Sequence, residues 1–536
     1  MKKISGLEPV LFYVFLALLL VPVWSVDFFV TGDGPCHFHN SKILLDWWHN
    51  TNRSFYDPFY YLNTSFNPNL LYYLITAPLL GFLSPTLVEK IFFSLYVLGF
   101  GLGFRFLISQ INFKAKFISS LGLLFCYHNL LMKGFINNSL SFVVWFWVVG
   151  WWWKKRDDFS TGILISHSLL LLLLYSAHPI GLIFGIMMIG SMMLGLLVYE
   201  SRHKGVKEGR LLFFRRLRNL FITALPTLVL FAEYMLRSDM SGDTTVHHVK
   251  DSFDYIIHLY SLVTLQSSEN VLALFTSITC ISVFLAAVIL RVKQKGLVPA
   301  DGLVLFNMLV MLCIIFPPNS ISGGLEISFR MAVIPFVALL FWASTANFPL
   351  WSQLTAQCIA IGIGIGFMAI RLPVHIKASE YAKEIYSCKP YINDPATLFV
   401  LNYDWEGKTP DGKSIANRAW LFNHVDCYLG TDKSLIISDN YEAHFPYFPM
   451  IVRWNTNMYT QTDKDGINFD NRPPRADILN FNRRTGENID YVLMISYREE
   501  FKDNPYTQEI FAQLDQAYTK IYTSQFERAV LYKRKE

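Results

Sequence analysis

Charge is scarce in this chain: only 16% of its 536 residues are Asp, Glu, Lys or Arg, where an ordinary soluble domain carries roughly 25%. So few charges cannot cover the surface of a water-soluble protein of this size. The seven cysteines are scattered and form no CxxC pair, which excludes a zinc ribbon and a thioredoxin-type site. The Gly-rich phosphate loop GxxxxGK[ST] is missing, so ATP-driven work within this chain is not expected. Internal repeats and low-complexity segments are absent, which weighs against an inverted-repeat transporter. No small-residue cleavage site follows the apolar run at residues 9–26, and that run is read as a retained anchor rather than a signal peptide. The formal charge of +5 resides in short Lys/Arg clusters between apolar runs, a topology signal rather than a nucleic-acid surface.

What is present is apolar: 53% of the residues are hydrophobic and 16% aromatic. Long apolar runs fill residues 9–371, whereas the remainder has the composition of a soluble protein. Crossing ~30 Å of hydrocarbon takes about 20 apolar residues, because each adds 1.5 Å of helix and the backbone must satisfy its own hydrogen bonds. About eleven runs qualify, near 9–27, 91–110, 116–131, 138–153, 160–177, 179–199, 219–236, 270–290, 302–318, 331–346 and 351–371. Residues 70–83, LLYYLITAPLLGFL, are too short to cross and contain Pro78, so they predict a helix in the outer interface. With the N-terminus inside, Lys2, Lys3, Lys114, Lys116, Lys154, Lys155, Arg156, the cluster from Arg202 to Arg218, Arg291, Lys293 and Lys295 are all internal. Counting 70–83 as a span would expel KKR and FFRRLR to the outside.

The expected architecture is therefore a polytopic α-helical membrane domain, residues 1–371, followed by an extracytoplasmic soluble α/β domain, residues 372–536. A bacterial inner membrane is the expected location. Strands are predicted at TLFVLN (397–402), SLIISD (434–439), DYVLMISY (490–497) and within KIYTSQFERAVLYKR near the end. Cys388 and Cys427 are candidates for one disulfide, and Asn52, Asn63 and Asn137 match the glycosylation pattern, which matters only in a secretory pathway.

Candidate functional residues gather in the external segments. Asp33 lies just past the first span between Gly32 and Gly34, where the backbone can turn sharply and present a carboxylate to a cavity. His37 and His39 follow, on a helix whose first position suits Pro35 and whose Leu44 and Trp48 could rest on the lipid surface. A carboxylate beside imidazoles suits general-base work; the competing role for Asp33 is to cap that helix. Asp57, in SFYDPFYY, is a second external carboxylate that also reads as a turn residue before Pro58. The cations Arg330, Lys133 and Arg237, with His178 in YSAHPIG, are candidates for a phosphate, and Arg330 stands at the outer mouth of the tenth span. Glu233 is an acid near the outer end of the seventh span. The stretch DMSGDTTVHHVKDSFDYIIH, residues 239–258, offers Asp239, Asp243, His247, His248, Asp251 and His258 at spacings that match no metal template.

Four stretches together, TGDGPCHFH after the first span, NPNLLYYLITAPLLGFL before the second, HPIG between the fifth and sixth and GGLEISFRMAVIPF before the tenth, resemble the GT-C superfamily of membrane glycosyltransferases. That superfamily includes protein O-mannosyltransferases and lipid A aminoarabinose transferase. The resemblance implies a polyprenyl-phosphate sugar donor, a glycan, lipid or protein acceptor, Asp33 as the acid after the first helix and Arg330 as the cation for the lipid phosphate. Many members carry paired acids in this loop, where Gly34 and Pro35 follow Asp33 here; a divalent metal is left open. A transporter would instead predict charges at the bilayer midplane and paired broken helices. A non-catalytic scaffold with a partner-binding tail gives no reason for GDGPCHFH beside an interfacial helix.

Overall fold

The structure is a computed structural model that describes residues 6–237, 249–315, 330–409, 411–463 and 472–536. Among these, six helices are long and apolar enough to cross a membrane: Leu7–Trp24, Pro85–Ile111, Pro179–Lys204, Val206–Arg237, Ser267–Gln294 and Leu350–Tyr391. Shorter apolar helices at Leu71–Leu80, Thr161–Ala177, Pro299–Ile315 and Ile334–Ala343 pack among them. The helix Ile136–Lys155 is enclosed by its neighbours, with Phe142, Trp145 and Phe146 all buried.

Three local expectations are corrected. The run at 116–131 is not one helix but a chain of short pieces, Ile118–Gly122, Leu123–Phe125 and Asn129–Lys133. Such a break inside a membrane protein requires partners for the freed carbonyls. Here the Tyr96 hydroxyl donates to the Cys126 carbonyl (2.9 Å) and the Arg371 guanidinium to that of Tyr127 (3.1 Å). The helix after Asp33, α1 (Gly34–His49), does not lie on the lipid surface. Leu44 is only 4% exposed and Trp48 46%, because α1 is packed between the helix Leu71–Leu80 and two turns of the C-terminal domain, Val425–Gly430 and Tyr441–His444. Finally, the expected domain boundary at 371 falls inside one continuous helix, Leu350–Tyr386. Past Pro373, Val374, Ala378, Tyr381, Ala382 and Ile385 recur at helical spacing and are buried, so an apolar stripe carries the helix on into the soluble part.

The C-terminal domain is built on five strands, β2 (Ala396–Asn402), β3 (Leu435–Ile437), β5 (Tyr491–Ile495), β6 (Tyr518–Thr523) and β7 (Ala529–Arg534), in the order β3-β2-β5-β7-β6. Pairing is parallel for β2 with β3 and β5, and antiparallel for β7 with β5 and β6. Each strand falls where the sequence predicts one, since short β-branched and aromatic runs have little alternative. A separate two-stranded ribbon joins β1 (Tyr60–Leu62), in the first external segment, to β4 (Met450–Val452) of the C-terminal domain. This ribbon and α1 fasten the domain over the end of the first span.

Candidate functional site

Asp33 is held by its backbone. The amides of Gly32 and Asp33 donate to the carbonyls of Met132 (2.9 Å) and Lys133 (3.0 Å). This approach requires glycine on both sides: a Cβ at Gly32 would sit 2.4 Å from the Lys133 oxygen, and one at Gly134, where φ is +95°, would sit 2.2 Å from the Asp33 nitrogen. Asp33 stands at the N-terminus of α1 but makes no side-chain capping bond, so its carboxylate is available to other groups.

Those groups come from the C-terminal domain. His424 places Nε2 3.8 Å from Asp33 Oδ1 and Nδ1 3.0 Å from Asp439 Oδ2, and its ring stacks on Tyr441. The contact to Asp439 is an ion pair at close range rather than a well-directed hydrogen bond. Burial works against a charged imidazole, but Asp439 and then Cys36 outweigh it and hold His424 well above the ordinary histidine range. The result is an imidazolium set between two carboxylates. Burial pushes Asp33 up to about 6, with His424 opposing that rise, Cys36 adding to it, and Arg330 and Lys133 opposing it. A base poised near neutral pH follows from this balance.

Glu442 is a second acid in reach. It lies 3.5 Å from His37 Nε2 and is driven well above the ordinary range by burial and by Asp33, with Arg330 working in the opposite direction. Asp33 and Glu442 thus have separated proton affinities, the pattern by which two carboxyl groups take different roles. Burial keeps His37 neutral, down to about 3, and its Nδ1 is 2.6 Å from the Tyr73 hydroxyl.

The structure gathers some of the sequence candidates and disperses others. Arg330 lies over the Phe135 ring, 4.1 Å from its centroid, and within electrostatic reach of Asp33, His178, Glu442 and Tyr447. Lys133 supplies both the backbone carbonyl under Asp33 and a nearby ammonium. His178 caps the helix Pro179–Lys204, its Nδ1 accepting from the Ile180 amide at 3.2 Å. His39 points elsewhere, with Nε2 3.0 Å from the Leu435 carbonyl. Arg237 binds Ser65, Asn67 and Glu233 instead of the Asp33 cluster, and Glu233 is more than half exposed. Asp57 is half exposed and pairs with Arg53 one turn earlier at 3.1 Å.

Among the described residues no group of three or more His, Cys, Asp and Glu side chains has the geometry to hold a metal ion. Most of the His/Asp-rich stretch at 239–258 lies outside the described residues; His258, within them, is exposed and has Nδ1 3.2 Å from the Asp254 carbonyl. The sequence reading passed over His424, Asp426, Asp439 and Glu442. A signal existed in FNHVDCYLG, where His424, Asp426 and Cys427 fall within four residues of a segment otherwise apolar.

No protein-family model matches the sequence, and a search of curated proteins returns no match. Among solved structures, the chain is similar to ArnT from Cupriavidus metallidurans in the apo state, with a TM-score of 0.51 at 9% identity, covering 97% of each chain. The same protein bound to undecaprenyl phosphate aligns with a TM-score of 0.43 at 9% identity, over 99% of this chain and 97% of that one.

Proposed function

We propose, from the GT-C fold that this chain shares with ArnT, that it is an inverting membrane glycosyltransferase using a sugar carried on a polyprenyl phosphate. One observation carries the reading: a carboxylate poised near pH 6 stands at the end of the first span, with Arg330 and Lys133 in electrostatic reach. Carboxylate and cations are the two charges that transfer from a lipid phosphate requires.

The acceptor hydroxyl gives its proton to Asp33 as its oxygen attacks the anomeric carbon. The bond from that carbon to the phosphate oxygen breaks, and the electron pair leaves with the polyprenyl phosphate. Arg330, as a planar fork, suits the departing phosphate by paired hydrogen bonds, with Lys133 adding charge. His424 keeps Asp33 ionised and oriented, and Asp439 supports His424. A single displacement inverts the anomeric centre. The positive-inside distribution puts this chemistry on the extracytoplasmic face, where nucleotide sugars are not normally available and a lipid carrier must deliver the activated sugar. A bacterial inner membrane fits that arrangement. The residues present make no case for a resident metal, and no step needs one.

The test uses purified protein in detergent with a bacterial lipid extract containing polyprenyl-phosphate sugars and cell-envelope acceptors. Mass spectrometry follows conversion of glycosylated carrier to free polyprenyl phosphate. Time-dependent conversion is expected; an unchanged carrier pool with folded protein contradicts the reading.

A further inference from the structure

Two thiols that the proposed chemistry does not use meet beside the site. Cys36 Sγ and Cys427 Sγ are 3.3 Å apart, both completely buried, and separated by 391 positions in sequence. Cys36 is in the first turn of α1, three residues after Asp33; Cys427 is in the turn Val425–Gly430, three residues after His424. Both sulfurs also face one acceptor, the backbone carbonyl of Asp439, at 3.3 and 3.8 Å. Cys388, the partner expected from sequence for Cys427, is a separate buried thiol, and the seven cysteines include no other pair with sulfurs in contact.

We propose that Cys36 and Cys427 form a disulfide in the mature protein, a covalent tie between the helix behind Asp33 and the C-terminal domain. The positive-inside rule puts this junction on the extracytoplasmic side, where disulfides form and persist. The bond arises by exchange with a disulfide-bearing oxidant of the thiol oxidoreductase class. The Cys36 thiolate attacks one sulfur of the oxidant and expels the other as a thiolate. The Cys427 thiolate then attacks the Cys36 sulfur of the mixed disulfide and expels the second. Two protons and two electrons leave the pair, and the oxidant's disulfide becomes a dithiol. Geometry selects the pair, and electrostatics favours Cys36 as first attacker: burial opposes its ionisation, but the Cys427 thiol and the His424 imidazolium hold it well below the usual thiol range. Because both sulfurs are buried once the domain has docked, exchange occurs while the chain folds and the finished bond is shielded from reductants.

The tie would hold the turn bearing His424 against α1 whatever reaction the site performs, so its test is independent of sugar transfer. Full-length protein is extracted from membranes in N-ethylmaleimide, denatured, and analysed with and without reduction. Expected are two fewer alkylated cysteines before reduction than after it, and a Cys36 peptide joined to a Cys427 peptide in the mass spectrum. Cys36→Ser frees Cys427 for alkylation without reductant, Cys427→Ser frees Cys36, and Cys388→Ser changes neither. Reduction lowers the Tm of the wild-type protein but not that of Cys36→Ser. Equal alkylation with and without reductant overturns the proposal, as does a bond from Cys427 to Cys388. The wild-type peptide map decides the matter even where a serine variant fails to fold.

Discussion

His37 and His39 sit four and six residues after Asp33, and the difference of two residues decides their fates. On a helix, four residues return to within ~40° of the start while six end ~240° round. His37 accordingly reaches Glu442 near Asp33, and His39 reaches the Leu435 carbonyl on the other side. Asp33, Arg330 and Lys133 were legible in sequence because Gly-Asp-Gly and isolated cations at the ends of apolar runs are chemically unusual there. His424 and Glu442 were not, since nothing in a soluble segment says which of its turns will face the membrane domain. The proton balance at Asp33 yields a prediction. A general base must be ionised, and burial raises this one to about 6. The transfer rate should therefore fall about tenfold per pH unit below 6 and level off above it. His424 lowers the Asp33 pKa, so His424→Asn should move the midpoint of the pH–rate profile upward. A profile unchanged by that substitution would remove His424 from the account.

At the scale of elements, every strand of the C-terminal sheet was legible, whereas the apolar run at 116–131 misled. Hydropathy registers that the run is buried but cannot register that it is broken, because the compensation lies in Tyr96 and Arg371. Likewise α1 looked suited to the lipid surface, and only the docked domain explains why Leu44 is covered. Arg371 does more than fill the break. It pairs with fully buried Glu269 at 2.8 Å and donates to the Leu262 carbonyl, while Glu269 accepts from the amides of Thr264, Leu265 and Gln266, each at 2.9 Å. One ion pair thus joins the last long helix, the broken run and the segment before Asn270–Gln294. Arg371→Ala leaves the Glu269 charge without its partner and should cost roughly 3–5 kcal/mol, read as a large drop in Tm in detergent. A drop no larger than that of an exposed substitution such as Lys293→Ala would show that the pair carries no such weight.

Over the whole molecule, the C-terminal domain is part of the candidate site rather than an appendage. It supplies His424, Asp439 and Glu442, and it is fastened through α1 and the ribbon of β1 with β4. The expected boundary at 371 misplaced it, because an apolar stripe carries the last helix through that position. Orientation rests on the Lys/Arg distribution and is open to direct labelling. With exposed Cys358 replaced by serine, a membrane-impermeant maleimide applied to intact spheroplasts should label Lys413→Cys, which stands on the domain, and spare Lys293→Cys on the opposite side. Labelling of both or of Lys293→Cys alone would invert the topology. The central claim is that a carboxylate at the outer end of the first span accepts the acceptor's proton. Its most direct test is the initial rate at which Asp33→Asn converts polyprenyl-phosphate sugar to free polyprenyl phosphate, in protein whose Tm matches the wild type. The account predicts a loss of at least about 100-fold; turnover at the wild-type rate would contradict it.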